Sequence, residues 1–232
     1  MMLESIKDII GVAKHFHDQQ TRRSGEPAIN HPQRVAQILT KYYGEEDQSV
    51  EIIESLIQAG WLHDTIEDHI SKAEKRARDE AESRGMTQID TEDFVQRVAD
   101  NAESEVIHHI SDATKNPAVL HLVRELTHIK DPELPKTEDY VRYIKSLSPL
   151  ALKVKLADML DNLQSTPSTR QVLKYESALS ALEKRPKGIN NLHWETLLNV
   201  VRDQKVSRGI SLKSESLIRK FVRIILLEEM QK

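Results

Sequence analysis

Residues 50–68 read VEIIESLIQAGWLHDTIED. Isoleucine and leucine side chains recur along this stretch every three or four residues, which predicts a single helix over about 49–68 with one buried face. The buried face continues into His63, Asp64 and Glu67. Ionisable groups inside a protein are costly unless they are paired, hydrogen-bonded or bound to metal. The stretch therefore predicts a polar site built into a helical core.

The composition favours helices over sheets along the whole chain. Aromatic residues make up only 4% of the 232 residues, and the chain has 7 glycines and 8 prolines. We expect an all-α protein with a main domain over residues 1–185 and a helical extension over residues 186–232 that packs on it. That extension includes an amphipathic helix over about 211–230. The charged residues 71–88 are expected to form an insertion, either a solvated helix or a mobile excursion.

The residue types that are scarce or absent narrow the possible functions. The chain has no cysteine, so a metal site must use nitrogen and oxygen ligands. The formal net charge of −4, without a long run of lysine and arginine, argues against a nucleic-acid partner. No apolar run approaches the roughly 18 residues of a membrane span, which predicts no membrane partner and, by default, a cytoplasmic location. The possibility of a homo-oligomer, with a dimer contact through the C-terminal extension, stays open.

Two further predicted helices place polar residues on an apolar face. A helix with Asn30 as its N-cap puts His31 at the first turn of its apolar face. A later helix, over residues 150–163, puts Asp158 and Asn162 on a face that they share with alanine and valine. Three separate helices thus carry a potential metal ligand toward the core.

Four of these residues form a candidate metal site: His31, His63, Asp64 and Asp158. Two imidazoles and two carboxylates without a thiolate suit Mn²⁺, Fe²⁺ or Zn²⁺, and Mg²⁺ is less favoured because of the histidines. Mn²⁺ is our first choice. The alternative is a structural network of ion pairs without a metal.

Three charged residues flank the candidate ligands at helical spacing. Glu67 and Asp68 follow His63 and Asp64 by four residues each, so they lie one turn away. A carboxylate in that position orients a metal-bound water or takes its proton. An exposed helix end is the alternative for this acidic pair. Lys155 precedes Asp158 by three residues and either neutralises a phosphate or is solvated.

Three motifs occur in a fixed order along the chain. Residues 23–32 read RSGEPAINHP, residues 62–68 read LHDTIED and residues 155–162 read KLADMLDN. Together they resemble the HD-superfamily hydrolase domain of the RelA/SpoT homologues, and more narrowly the small alarmone hydrolases that lack a synthetase domain. The resemblance covers about residues 8–180, and its doubled acid, HDxxED, is more specific than the HD pair alone.

The resemblance implies a helical bundle around one Mn²⁺ ion, held by the four candidate ligands. It implies hydrolysis of the 3′-pyrophosphate of ppGpp or pppGpp to GDP or GTP and pyrophosphate, with Glu67 and Asp68 handling the attacking water. It also implies a set of nucleotide contacts to base, ribose or phosphate. These are Arg22 or Arg23, Asn162 and Tyr175. Ordinary surface charge is the alternative role of the arginine pair.

The sequence departs from the family pattern at two positions near the motifs. Ala28 stands where an aromatic residue is usual, and His69 replaces a usual threonine. These departures leave open a second enzyme function, in which the same metal acts on a deoxynucleotide, a nucleoside monophosphate or NADPH. A third possibility is a regulatory module that binds a nucleotide without turnover. Such a module is expected to lack a ligand or a water-handling acid, and the sequence retains them all.

Overall fold

The computed structural model describes residues 2–22, 24–45 and 49–210. Within these ranges the chain forms ten helices and no strand, with one isolated antiparallel bridge between Thr21 and Pro27. None of the described helices is long and apolar enough to cross a membrane. The prediction of an all-α fold is confirmed. In chain order the helices are α1 (Met2–His17), α2 (Asn30–Tyr43), α3 (Val50–Leu62), α4 (Thr65–Ser83), α5 (Gln88–Thr114), α6 (Pro117–Leu126), α7 (Lys136–Ser146), α8 (Pro149–Gln164), α9 (Thr169–Ala181) and α10 (Asn191–Ser207).

The chain divides into two compact units. The first comprises the chain up to Ile129 together with Lys153–Asp158, and the second comprises Lys130–Leu152 together with the chain from Met159 onward. Helix α8 therefore contributes its middle to the first unit and its two ends to the second. The expected helix over residues 211–230 lies outside the described residues, and the boundary after residue 185 stays a prediction.

Close packing of α2 against α3 organises the first unit. Gly60 of α3 faces α2, and a Cβ atom at this position would lie 2.7 Å from Leu39 Cδ1 and 3.3 Å from Ala36 Cα. The absence of a side chain at Gly60 thus lets the two helices approach. Leu39 and Leu56 are each 1% exposed, so the contact belongs to the hydrophobic core. This packing positions the two helices that lead to His31 and His63.

The prediction of a single helix over residues 49–68 is wrong in one respect, because the helix is interrupted within the LHDTIED motif. Helix α3 ends at Leu62 and α4 begins at Thr65, with His63 and Asp64 between them. Neighbouring residues of a continuous helix point about 100° apart, so their side chains do not face each other. The break allows both side chains to turn toward the same point.

The charged residues 71–88 fold as a solvated helix and its C-terminal turn. Most of their side chains are exposed or half-buried, whereas Ala77 and Ala81 are buried where α4 packs against α5. Gly85 adopts a φ of +63° just after α4 ends, as expected of a glycine that ends a helix. The charged side chains of this stretch therefore face water, while the small residues of α4 pack against α5.

A polar residue before an apolar run predicts an N-cap at Asn30 for α2 and at Asp90 for α5, and both N-caps differ in the structure. Asn30 is the first residue of α2, and Ile29 before it has helical backbone angles and makes no side-chain cap. Helix α5 is capped by Thr87 rather than Asp90, because the Thr87 side chain accepts a hydrogen bond from the Asp90 backbone N–H at 3.2 Å. The errors shift the start of each helix by one to three residues and leave its buried face unchanged.

In the second unit, α9 packs against α7 and α10. Ser168 and Gln171 form a capping box at the start of α9, with reciprocal side-chain to backbone hydrogen bonds. Lys205 of α10 is 3% exposed, and its Nζ lies 2.6 Å from Glu176 Oε1 of α9. This ion pair joins α9 to α10 and compensates for the buried ammonium group.

Candidate metal centre and active site

The four predicted ligands lie together in the first unit. They come from α2, from the break between α3 and α4, and from the middle of α8. His31 Nε2 lies 3.1 Å from His63 Nε2, 3.1 Å from Asp158 Oδ1 and 3.3 Å from Asp64 Oδ2. His63 Nε2 lies 3.1 Å from Asp64 Oδ2 and 3.6 Å from Asp158 Oδ1. Two nitrogen and two oxygen donor atoms therefore converge on one point.

This donor set fits a divalent first-row metal ion. Neighbouring ligand atoms about 2.0–2.2 Å from such an ion lie roughly 2.8–3.6 Å from one another in octahedral or tetrahedral geometry. The distances within the cluster fall in that range. His31, His63 and Asp158 are almost fully buried, whereas the Asp64 side chain is 29% exposed. The side of the cluster at Asp64 is thus accessible to water.

A backbone hydrogen bond orients His63. Its Nδ1 lies 2.9 Å from the carbonyl oxygen of Gly60, and because a carbonyl only accepts, Nδ1 carries the proton and donates. In the neutral ring the lone pair of Nε2 is then directed into the cluster. Histidines that bind metal in proteins are commonly held by this kind of second hydrogen bond.

Charge in the cluster is balanced between the ligands and one lysine. Burial acts to lower the pKa of His63, but the Asp64 and Asp158 carboxylates outweigh it and raise that pKa to about 9. Burial acts to raise the pKa of each carboxyl group, yet His63 near Asp64 and Lys155 near Asp158 hold both pKa values well below their usual range. Lys155 is 8% exposed, and its Nζ lies 2.7 Å from Asp158 Oδ2, so it is not a solvated side chain.

The two acids predicted to handle water lie in the first turn of α4, and both are half-buried. Burial, together with the nearby Asp64 carboxylate, raises the pKa of Asp68 to about 6. Asp68 Oδ2 lies 3.9 Å from Nδ1 of His17, a buried residue at the end of α1 whose pKa is lowered by burial. Asp68 thus combines partial solvent access with an affinity for protons higher than that of an ordinary aspartate.

The polar loop before α2 is a closed hairpin. The Ala28 backbone N–H donates to Gln20 O at 2.8 Å, and that of Arg22 donates to Glu26 O at 2.9 Å. Gly25 adopts a φ of +84°, a left-handed conformation in which glycine avoids the strain of a side chain. This hairpin holds the backbone of Arg22 at a defined position, whereas Arg23 lies outside the described residues.

Glu26 anchors this loop to the helix that carries His31. Both terminal nitrogens of Arg34 on α2 donate to its two carboxylate oxygens, at 2.8 and 2.9 Å. The Arg34 guanidinium lowers the pKa of Glu26 through this paired hydrogen bond. The acid of the RSGEP segment is therefore a structural residue of the loop.

A comparison with protein families identifies this arrangement. The model of the HD domain matches residues 28–163, which are more than half of the chain and include all four residues of the cluster. The chain belongs to the HD-domain family. This confirms the resemblance seen in the three motifs and the class of enzyme that it implied, a metal-dependent phosphohydrolase. HD domains bind a divalent metal ion, which agrees with the donor set of the cluster.

Similar proteins extend the family assignment along most of the HD-domain chain. Guanosine-3′,5′-bis(diphosphate) 3′-pyrophosphohydrolase MESH1 of Mus musculus is 31% identical over 210 residues, which are 86% of this chain and 92% of the mouse protein. The Homo sapiens protein of that name is 30% identical with the same coverage. A solved structure, described as a metazoan orthologue of SpoT that hydrolyses ppGpp, shares the fold at a TM-score of 0.57 with 22% identity. It covers 89% of this chain and 97% of its own.

Two predicted substrate contacts of the HD-domain protein belong to the second unit. Asn162 follows Asp158 by one turn of α8 and is half-buried. Tyr175 of α9 is buried, with its ring 5.9 Å from that of Tyr140, and Lys174 Nζ lies over both rings. Their contact with substrate stays a prediction.

His17 is a neighbour of the site that the sequence patterns did not single out. It follows the fully buried Ala13 by four residues on α1, so it continues an apolar face in the same way as His63 does. Applying the same criterion to α1 finds it. Its ring lies beside Asp68, which connects α1 to the acids of α4.

Proposed function

We propose that this HD-domain protein hydrolyses the 3′-pyrophosphate of guanosine tetraphosphate and pentaphosphate, and that it uses Mn²⁺ bound by His31, His63, Asp64 and Asp158. The products are GDP or GTP and pyrophosphate. The observation that carries the proposal is the convergence of two imidazoles and two carboxylates at distances that suit one metal ion. The mouse and human relatives, whose names state this reaction, support the choice of substrate.

The first chemical requirement is an activated water molecule beside an acceptor for its proton. Held by His31, His63, Asp64 and Asp158, a divalent ion would lower the pKa of a bound water to about 7 and would polarise a phosphoryl oxygen. Asp68 takes the proton, because its raised pKa gives it a higher proton affinity than an ordinary aspartate. Glu67, in the same turn of α4, orients the water. The pair therefore divides proton transfer and positioning between two neighbouring acids.

The reaction transfers the whole 3′-pyrophosphoryl group to water. The water oxygen forms a bond to the phosphorus attached to the 3′ oxygen of the ribose, and the bond between that phosphorus and the 3′ oxygen breaks. The water proton passes to Asp68, and the 3′ oxygen leaves as a hydroxyl after it takes up one proton from the solvent. Lys155 holds Asp158 in place through its 2.7 Å ion pair and adds positive charge near the phosphates.

The remaining contacts recognise the nucleotide. We assign phosphate or base contacts to Arg22 and Arg23, because a planar guanidinium pairs with phosphate through two parallel hydrogen bonds and also stacks on a base. The hairpin supports the Arg22 backbone for this role. Asn162 is assigned to the ribose or a phosphate and Tyr175 to the wall of the nucleotide site. Each of these assignments follows the family pattern.

A substrate panel tests the proposal. The Mn²⁺-loaded protein is incubated with ppGpp, and pyrophosphate and GDP are quantified by ion-exchange chromatography beside reactions with a dNTP, GMP and NADPH. Equimolar release of GDP and pyrophosphate is expected. Turnover of another nucleotide with no release from ppGpp would overturn the substrate while leaving the phosphohydrolase class intact.

One observation favours the second candidate, hydrolysis of another nucleotide by the same centre. Ala28 is half-buried at the end of the hairpin, where the family pattern has an aromatic residue. A methyl group leaves space that an aromatic ring would fill, and this space favours a base or sugar of different shape. Restoring the ring with Ala28→Tyr is expected to increase selectivity for ppGpp over NADPH. A non-catalytic sensor lacks comparable support, because the described residues retain every ligand and both acids.

A further inference from the structure

A second group of metal-binding side chains lies on the surface of the first unit, away from the four-residue cluster. It joins His15 of α1 to Glu105 and His109 of α5, and one donor atom from each lies within 4.8 Å of the other two. His69 of α4 adds a third imidazole, because its Nε2 lies 3.3 Å from Glu105 Oε2. We propose that these four residues bind a second divalent transition-metal ion, of the type of Zn²⁺.

The backbone places these donors in a chelating arrangement. Glu105 and His109 are four residues apart on α5, so their side chains share one face one turn apart. The ring of His15 lies 5.3 Å from that of His109, with an angle of 32° between the planes. Two ligands therefore come from one rigid helix, and the other two come from α1 and α4, which both pack against it.

A buried phenyl ring orients the three imidazoles. Phe16 is 7% exposed, and its ring lies 4.9 Å from His15, 4.9 Å from His69 and 5.4 Å from His109, edge to face in each case. Edge-to-face packing holds aromatic rings at defined angles. The common contact keeps the three rings near one another before any ion binds and thus lowers the entropy lost on binding.

The chemistry of the group favours a borderline metal over Ca²⁺ or Mg²⁺. Three imidazole nitrogens and one carboxylate oxygen, without thiolate, are a usual ligand set of zinc. Zinc ligands lie roughly 3.3 Å from one another, so the donor atoms of this group must move closer together when the ion binds. His15, Glu105 and His109 are exposed, so rotation of their side chains achieves this without disturbing the core. A cavity of about 500 Å³ that is lined in part by His15, His69 and Glu105 opens beside the group.

Zinc stoichiometry gives a direct test with a matched control. The parent protein, His109→Ala and His108→Ala are dialysed against Zn²⁺, and bound zinc is measured by mass spectrometry. His108 is the adjacent residue, but its Nε2 pairs with Asp112 at 3.4 Å outside the group. The parent and His108→Ala are expected to bind one equivalent more than His109→Ala. This difference is independent of how much zinc the first cluster holds.

A second readout separates binding from folding. Glu105→Gln keeps the shape of the side chain and removes its charge, and circular dichroism checks that each variant is folded. With Co²⁺ in place of Zn²⁺, the parent is expected to show a visible absorption component that His109→Ala and Glu105→Gln lack. Equal zinc content in the parent and His109→Ala, or an equal loss in His108→Ala, would overturn the proposal.

Discussion

At the scale of single residues, the proposed chemistry depends most directly on His63. Its ring is 1% exposed, its Nδ1 is occupied by the Gly60 carbonyl, and its Nε2 lies within 3.6 Å of the other three donors. No other described histidine is placed to replace it. The position of α3 therefore determines, through His63, where the metal is bound.

His63→Ala is therefore expected to lose metal and hydrolysis together. Removing one of four ligands lowers metal affinity, and the metal-dependent rate falls to background. Bound metal and product release are measured on the same sample, and His121→Ala serves as the control because His121 is exposed on α6. Normal turnover in His63→Ala would refute the proposed centre.

Asp68 is expected to affect the reaction without affecting coordination. Asp68→Asn removes the proton acceptor, so the rate should fall by about 10²–10⁴-fold while metal content is retained. The carboxylate form is the active form, so the rate of the parent should rise with pH through the pKa of Asp68. Burial and the Asp64 carboxylate raise that pKa to about 6, and a bound cation lowers it from this value.

The pH profile provides the check on this role. In the parent, the acid limb is expected at pH 6 or below, and in Asp68→Asn that limb should disappear from the residual activity. An unchanged limb in Asp68→Asn would assign the proton transfer to another group. Loss of metal from the variant would instead make Asp68 a structural part of the centre.

The residues of the cluster could be identified from the sequence because each one interrupts an apolar face. His17 produces the same signal on α1, although the motifs drew attention elsewhere. The burial of Lys155 gives no comparable signal, because lysine is ordinarily exposed and only the packing of α8 shows otherwise. Sequence patterns therefore reveal a polar residue on an apolar face. The burial of a charged residue on a largely buried helix such as α8 is known only from the structure.

At the scale of secondary structure, the break between α3 and α4 decides the geometry of the site. Neither glycine nor proline lies between Leu62 and Thr65, so no local signal marks the break. The periodicity predicted the buried face correctly but continued the helix through the motif. Tertiary packing explains the difference, since His63 and Asp64 both contact groups on other helices.

Because α3 packs closely against α2 at Gly60, we expect a substitution of this glycine to destabilise the protein. Gly60→Ala would put a methyl group 2.7 Å from Leu39 Cδ1 and 3.3 Å from the Ala36 backbone. We expect a loss of about 1–3 kcal/mol in the free energy of unfolding, because overpacking forces the helices apart. Metal affinity should also fall, since the Gly60 carbonyl holds His63.

Gly11→Ala is the matched control for this change. Gly11 lies inside α1, and a Cβ atom there meets nothing within 4 Å. The substitution is expected to stabilise the protein by up to about 1 kcal/mol, because alanine favours the helix. Chemical denaturation of both variants measures the two free energies. Similar changes in the two variants would show that close packing at Gly60 does not limit stability.

At the scale of the whole molecule, the division into two units was not visible in the sequence. A linker is recognised as one polar or flexible stretch, but the second unit combines residues 130–152 with the chain from residue 159 onward. Six residues of α8 belong to the first unit and the rest of that helix to the second. Two of the three boundaries between the units fall within this one continuous helix, so no change of composition marks them.

The location of all four candidate ligands in the first unit predicts where metal stabilises the chain. An ion that binds only the folded form adds about 2.7 kcal/mol at a free concentration 100 times its dissociation constant, which slows exchange through unfolding about 100-fold. Hydrogen exchange measured with and without Mn²⁺ should therefore slow in α2, α3 and the middle of α8. In α9 and α10 it should stay unchanged, and His63→Ala should abolish the difference. Equal slowing in α9 and α10 would mean that the two units unfold together. A ligand opposes the unfolding of the part that binds it, so it slows exchange at every amide that is exposed only by that unfolding.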